Sequence, residues 1–173
     1  MANTYVAIAT TSLASQGTSI EFTNIPNTYT DLLVKFSLRS TEAATFTDGG
    51  FRVTFNSNGS GYYYLLLYGT GTQNGSVSSS NQANFRYMYG SAANATASTF
   101  SNGEIYIPNY LSSNNKSISS DSVSEQNAQD GGVLALTAGY WSNSSAITSV
   151  KLETNTGNWV VNSSATIYGI KSS

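Results

Sequence analysis

The chain has 173 residues, of which only 9% are Asp, Glu, Lys or Arg, and its formal net charge is −2. An ordinary domain carries about 25% charged residues, so hydrogen-bonding Ser, Thr and Asn must supply most of this polar surface. Without a basic run the chain lacks the positive face that nucleic acid requires, and without cysteine it has neither disulfides nor thiol chemistry.

The length and composition predict one domain over residues 1–173 with a packed core. No window approaches the 18 apolar residues of a membrane-spanning helix, and the N-terminus lacks the charged and apolar regions of a secretory signal. Because the chain begins at Met1 and stops soon after its last predicted strand, we expect a free-standing subunit.

The first third of the chain alternates apolar and polar residues with period 2, which is typical of half-buried strands. Residues 4–11 predict a first strand and residues 19–22 a second. Pro26 cannot donate to a sheet ladder and therefore ends the second strand. Beyond it, Val34, Phe36 and Leu38 alternate with polar residues on a third strand. This unit needs a second sheet to cover its apolar face.

The middle of the chain predicts further strands at residues 51–55, 62–68 and 85–89. The segment YYYLLLY at 62–68 is apolar on both faces, which suits a strand buried between layers or a strand whose outer face meets a partner. The Gly-, Ser- and Asn-rich residues 69–84 predict a long exposed loop.

The last third predicts a strand from residue 104, a polar strand or loop at 116–123, and three strands at 133–140, 146–154 and 165–171. Ser122 and Glu125 have the spacing of a capping box, with room for about two helical turns. About ten strands and almost no helix predict an all-β fold, an antiparallel β-sandwich of jelly-roll type.

Several kinds of catalytic and metal chemistry lack their usual residues. Without histidine, an enzyme would depend on carboxylates, and the candidates by residue type are Glu104, Asp121, Glu125 and Asp130. No spacing among them rises above chance, so we interpret them as solvated or turn-stabilising groups and expect neither enzymatic activity nor a cofactor. Asp48 and Asp130 precede Gly-Gly and could bind calcium, although such aspartates more often stabilise turns.

Aromatic residues are the better candidates for a binding surface, because Tyr and Trp are enriched at protein interfaces. Burial in the core and stacking on sugar rings are the alternative roles. The residues that we predict to contact a partner are Tyr5, Tyr62, Tyr64, Tyr68, Trp141 and Trp159.

Three segments together resemble virion structural proteins of marine tailed phages. They are TYVAIATTSLASQGTSIEFTNIPNTYTDLLVKFSLR at 4–39, GEIYIPNY at 103–110 and AGYWSNSSAITSVKLETNTGNWVVNSSATIYGI at 138–170. The resemblance implies a β-sandwich that decorates capsids or forms fibre modules, and it carries over no catalytic residue.

The expected function is therefore a capsid decoration or cement protein that binds across capsomers and stabilises the head. We expect it to be made in the host cytoplasm, to reside on the capsid surface of the virion, and to bind the major capsid protein and copies of itself as a homotrimer. The alternative is an adhesion module, on a fibre or the head surface, that binds host surface glycan. One physical feature agrees with the first function: four lysines are few to guard the edges of so many strands, so other subunits are expected to cover them.

Overall fold

The computed structural model describes residues 4–43, 50–125 and 132–171. These residues form two antiparallel sheets and no helix, which confirms the predicted all-β sandwich. Twelve strands are present where the sequence predicts about ten, and the jelly-roll connectivity stays a prediction. The strands are β1 (Tyr5–Ser12), β2 (Ser19–Phe22), β3 (Asp31–Leu38), β4 (Phe51–Phe55), β5 (Tyr62–Gly69), β6 (Asn74–Gln82), β7 (Phe85–Met88), β8 (Ser101–Ile107), β9 (Lys116–Ser124), β10 (Val133–Trp141), β11 (Val150–Glu153) and β12 (Ser164–Ile170).

The larger sheet has eight strands in the order β1-β12-β3-β8-β9-β10-β5-β6, and the smaller has four in the order β2-β11-β4-β7. Their facing sides enclose the core. On β3, the buried residues Val34, Phe36 and Leu38 point inward, as their alternation predicts. Phe55 of the smaller sheet packs edge-on against Phe85 and Trp141, with ring centroids 5.7 Å away in both cases.

The smaller sheet covers only the middle of the larger one. Its edge strand β2 packs against β12, and its other edge strand β7 packs against β5, β9 and β10. The outermost strands β1 and β6 each pack mainly on one neighbour, β12 and β5 respectively. The two borders of the larger sheet therefore make little contact with the strands of the smaller sheet.

Serine side chains on the inner face of β9 form hydrogen bonds with the backbone of the segment that follows β7. The Tyr89 N–H donates to Ser122 Oγ at 3.1 Å, and Ser124 Oγ donates to the Gly90 carbonyl at 3.3 Å. Ser122 thus lies within a strand, so the predicted capping box is wrong. The Glu125 carboxylate instead accepts hydrogen bonds from the Thr96 N–H and hydroxyl, at 3.0 and 2.9 Å.

The predicted loop at 69–84 is also wrong, because most of it is β6. This strand pairs antiparallel with β5 and forms one border of the larger sheet. Its Ser, Gly and Asn residues have low strand propensity, but the neighbouring backbone of β5 supplies the pairing that local sequence does not favour. Tertiary context has overridden the turn signal here.

Candidate binding face

The outer face of the larger sheet is the side turned away from the smaller sheet, and it carries an apolar cluster on β10 and β5, close to the β6 border. Leu65 and Leu67 of β5 lie beside Leu134 and Leu136 of β10, and each is 59–64% exposed. The strand register places Leu136 directly opposite Leu67. We call these four residues the leucine patch. Such a cluster of exposed leucines is uncommon on a soluble surface and indicates a contact site.

Aromatic residues continue the apolar surface along the same two strands. Tyr63 of β5 lies opposite Tyr140 of β10, and their rings stack at 4.7 Å between centroids with an interplanar angle of 4°. At the other end, Val123 of β9 is opposite Leu134 and 41% exposed. The leucine patch therefore extends into a band that runs the length of β5 and β10.

A groove of about 600 Å³ lies beside the leucine patch. Leu65, Leu67 and Leu136 form its apolar side, while Glu104, Tyr106 and Asp121 on β8 and β9 form its polar side. Three further depressions open on the same face.

The polar side of the groove brings two acidic residues together. Glu104 and Asp121 are register partners on β8 and β9, and Lys35 on β3 is the register partner of Glu104 on its other side. Lys35 Nζ lies 3.2 Å from Glu104 Oε2. Because like charges on opposing residues repel, the ion pair with Lys35 relieves part of the repulsion between the carboxylates. Both remain exposed enough for solvent to screen them.

A second polar network lies next to the Lys35–Glu104–Asp121 group, at the start of β3. The Tyr106 hydroxyl donates to Asp31 Oδ2 at 2.8 Å, and this hydrogen bond raises the pKa of Tyr106. Asp31 Oδ1 accepts the Asn109 N–H at 2.8 Å. The aspartate thus fixes both the phenol and the turn that follows β8.

Four of the six aromatic residues predicted as partner contacts are core residues, which corrects that prediction. Tyr62, Tyr64, Trp141 and Trp159 are at most 4% exposed. The reason is strand phase: Tyr62 and Tyr64 occupy the inward positions of β5, and Trp141 is inward on β10. Of the remaining two, Tyr5 is 57% exposed at the β1 border and Tyr68 is half-buried on β5.

Two of these buried aromatic residues, Tyr62 and Trp141, form hydrogen bonds through their polar side-chain atoms within the chain. The Tyr62 hydroxyl accepts the Phe55 N–H at 2.8 Å and donates to the Asn58 carbonyl at 3.1 Å. The Trp141 Nε1–H donates to the Ser60 carbonyl at 3.3 Å. These groups tie the turn between β4 and β5 to the core.

The site predicted from the sequence does not include the leucine patch, although the sequence contains two signals for it. The run at 62–68 is apolar on both faces, which is consistent with an outer face that contacts a partner. On β10, Leu134 and Leu136 alternate with Val133 and Ala135, so this strand is apolar on both faces too. Only the register between β5 and β10 shows that the two outward sets meet.

Of the other chemical candidates, the structure brings Glu104 and Asp121 together as register partners on one open sheet face. Glu125 accepts from Thr96 instead. Asp48 and Asp130 lie outside the described residues, and within those described no group of three or more His, Cys, Asp or Glu could hold a metal ion. The same residues include no helix that could cross a membrane.

The chain matches no protein-family model, no curated protein and no solved structure. The likeness to phage virion proteins therefore rests on the three quoted sequence segments alone.

Proposed function

We propose that this chain is a non-enzymatic structural protein of a phage virion, which decorates the capsid and stabilises it by binding across capsomers. The observation that carries the proposal is the exposed leucine patch on the outer face of the larger sheet, beside a groove of about 600 Å³. The sequence segments that resemble virion proteins suggest the capsid as the partner, and the exposed sheet face would provide the contact surface.

Burial of the leucine patch by a partner would contribute substantially to the free energy of binding. Full burial of a leucine side chain is worth about 1.5–3 kcal/mol, and about 60% of each remains exposed, so a partner gains about 1–2 kcal/mol per leucine. The four together supply about 4–7 kcal/mol. Association costs about 4–15 kcal/mol in lost translational and rotational freedom, so a stable complex also needs the flanking Tyr63, Tyr140 and Val123. The whole band must therefore be covered.

The charges of the face indicate the chemistry of the partner surface. Asp31, Glu104 and Asp121 are acidic on the outer face of β3, β8 and β9, where Lys35 is the basic residue. A capsid surface that offers apolar side chains together with Lys or Arg would match both the patch and this net negative charge. The basic groups would contribute to the rate and specificity of association, and the leucines to its strength.

Co-sedimentation of the purified chain with capsids of the phage that encodes it tests this proposal. The L65S/L136S variant should lose binding, whereas the control L111S/V161S, which alters exposed apolar residues away from the patch, should bind like the unmodified chain. Binding should weaken at high salt if basic capsid groups contribute. Equal binding by the two variants, or density for this chain on the tail alone, would refute capsid attachment through the patch.

Glycan binding in an adhesion module is the second candidate, and one groove favours it. Tyr5, Tyr168, Lys35 and Glu104 line a depression of about 470 Å³, where rings could stack on a sugar and charged groups could bind its hydroxyls. A glycan array made with host surface polysaccharide distinguishes the two functions. Binding that Y5A abolishes and L65S/L136S leaves intact would favour the glycan.

A further inference from the structure

The two sheets differ sharply in how their edge strands are protected. The smaller sheet ends in β2 and β7, which have four residues each and carry Glu21 and Arg86. The larger sheet ends in β1 and β6, which have eight and nine residues and contain neither a charged residue nor proline. Short length, charge and proline are the usual means of preventing an edge from pairing with another chain. Both borders of the larger sheet lack all three.

A bulge distinguishes the two long borders from each other. On β1 the register shifts between Ala7 and Ala9, in the middle of the strand. Bulges of this kind twist an edge and interrupt its row of hydrogen-bonding groups. On β6 the irregularity falls at the far end, so residues 74–79 pair with β5 in six consecutive steps. The regular, open edge is therefore the one on β6.

The strand β6 is attached to the sheet mainly through β5, and Val77 is its one contact with a small buried apolar cluster. Its sequence, NGSVSSSNQ, has one large apolar residue, Val77, which is half-buried, and the strand packs mainly on β5. In an antiparallel edge strand, about half of the residues direct their N–H and C=O groups away from the sheet. These groups are available to a further strand.

We propose that two copies of this chain pair through β6, antiparallel about a two-fold axis, to make one continuous sixteen-stranded sheet. The self-complementary edge fits such a partner because no like charges oppose each other along it, and a closed two-fold pair leaves neither copy of β6 open. The axis is perpendicular to the sheet, so both outer faces lie on the same side. The two copies of β5 are then three strand spacings apart, about 14 Å, and both leucine patches belong to one continuous sheet face.

This pairing goes beyond the proposed capsid function and does not depend on it. A two-fold pair contains an even number of chains, so it differs from the trimer predicted from the sequence. Main-chain pairing over about six residues buries a small area, and we expect a dissociation constant in about the micromolar range.

Light scattering on the purified chain over a concentration series measures the pairing. The unmodified chain should shift from monomer to dimer, and S76K/S78K should weaken the dimer by about tenfold or more because four lysines converge at the two-fold axis. The control S117K/S119K places the same charges at exposed positions of β9, on the same sheet face but three strands away from β6, and should dimerise like the unmodified chain. Thermal melting confirms that both variants fold. A monomer at every concentration, a trimer, or equal dimerisation of both variants would overturn the proposal.

Cysteine cross-linking locates the contact, since the chain has no cysteine of its own. Opposed residues of an antiparallel pair lie about 4.5–5.5 Å apart between Cα atoms, within the range that a disulfide spans. A residue faces its own copy only where the two-fold axis passes, so single cysteines are needed at each of residues 76–80. A mild oxidant should convert the variant at the axis largely to covalent dimer. T10C on β1 and S119C on β9 should stay largely monomeric. Efficient cross-linking through T10C in place of the β6 positions would transfer the contact to the other border and refute this one.

Discussion

Replacing Tyr62 with phenylalanine separates a core role from an interface role, because it removes one oxygen and leaves the ring. The ring would keep its stacked contact with Trp141, at 6.1 Å between centroids. The lost hydroxyl leaves the Phe55 N–H without its acceptor at 2.8 Å and the Asn58 carbonyl without its donor. The damage is therefore confined to the turn between β4 and β5.

The expected cost follows from the burial of the Phe55 N–H. A buried donor left without a partner costs about 1–3 kcal/mol. For a chain of this size, 1 kcal/mol corresponds to about 2–4 °C in the melting temperature, so Tyr62→Phe should lower it by about 2–12 °C. Thermal unfolding followed by circular dichroism measures the change.

The matched control is Tyr140→Phe, which removes the same atom from a residue that is 40% exposed on the outer face. It should change the free energy of unfolding by less than about 0.5 kcal/mol. If Tyr62→Phe melts like the control and instead weakens assembly, Tyr62 is an interface residue and its placement in the core is wrong.

Three further predictions concern the same sandwich. Burial raises the pKa of Tyr62 to about 12, so the unfolded chain releases this proton at lower pH than the folded chain, and the free energy of unfolding should be constant below pH 10 and fall between pH 10 and 12. Denaturant titrations that show no such fall would contradict the burial of this hydroxyl. Gly139→Ala drives a Cβ into the Tyr63 carbonyl oxygen, so it should force β10 off β5 and lower the free energy of unfolding by about 1–3 kcal/mol in chemical denaturation. A tolerated alanine would contradict this strand register. The Arg39 guanidinium donates hydrogen bonds to the Thr99 carbonyl at 2.8 Å and to two neighbouring carbonyls, which a lysine cannot reproduce, so Arg39→Lys should speed amide hydrogen exchange at residues 95–99. Unchanged exchange would show that the arginine does not hold this segment.

The predicted strands show where local sequence is sufficient. Alternation along β3 and β4 predicts both the strand and its buried face, because period 2 follows from the backbone geometry of any strand. The boundaries are less well predicted: the strand expected at 146–154 is confined to Val150–Glu153, since only those residues find partners on β2 and β4.

The candidate site was much harder to predict. Tyr62 and Leu65 belong to the same apolar run, yet one is fully buried and the other is 60% exposed. Because that run is apolar on both faces, its composition does not indicate which face the smaller sheet covers. Trp141 is likewise buried, although aromatic composition alone indicates a contact residue.

By itself the sequence determined that this is a β protein with few charges, because alternation and composition are local properties. Tertiary structure alone decided that Leu67 meets Leu136, since a register between strands far apart in the sequence brings them together. It also decided that residues 74–82 form an edge strand, because pairing with β5 outweighs the turn preference of serine, glycine and asparagine. The leucine patch and the open border are both products of strand order, which no single segment encodes.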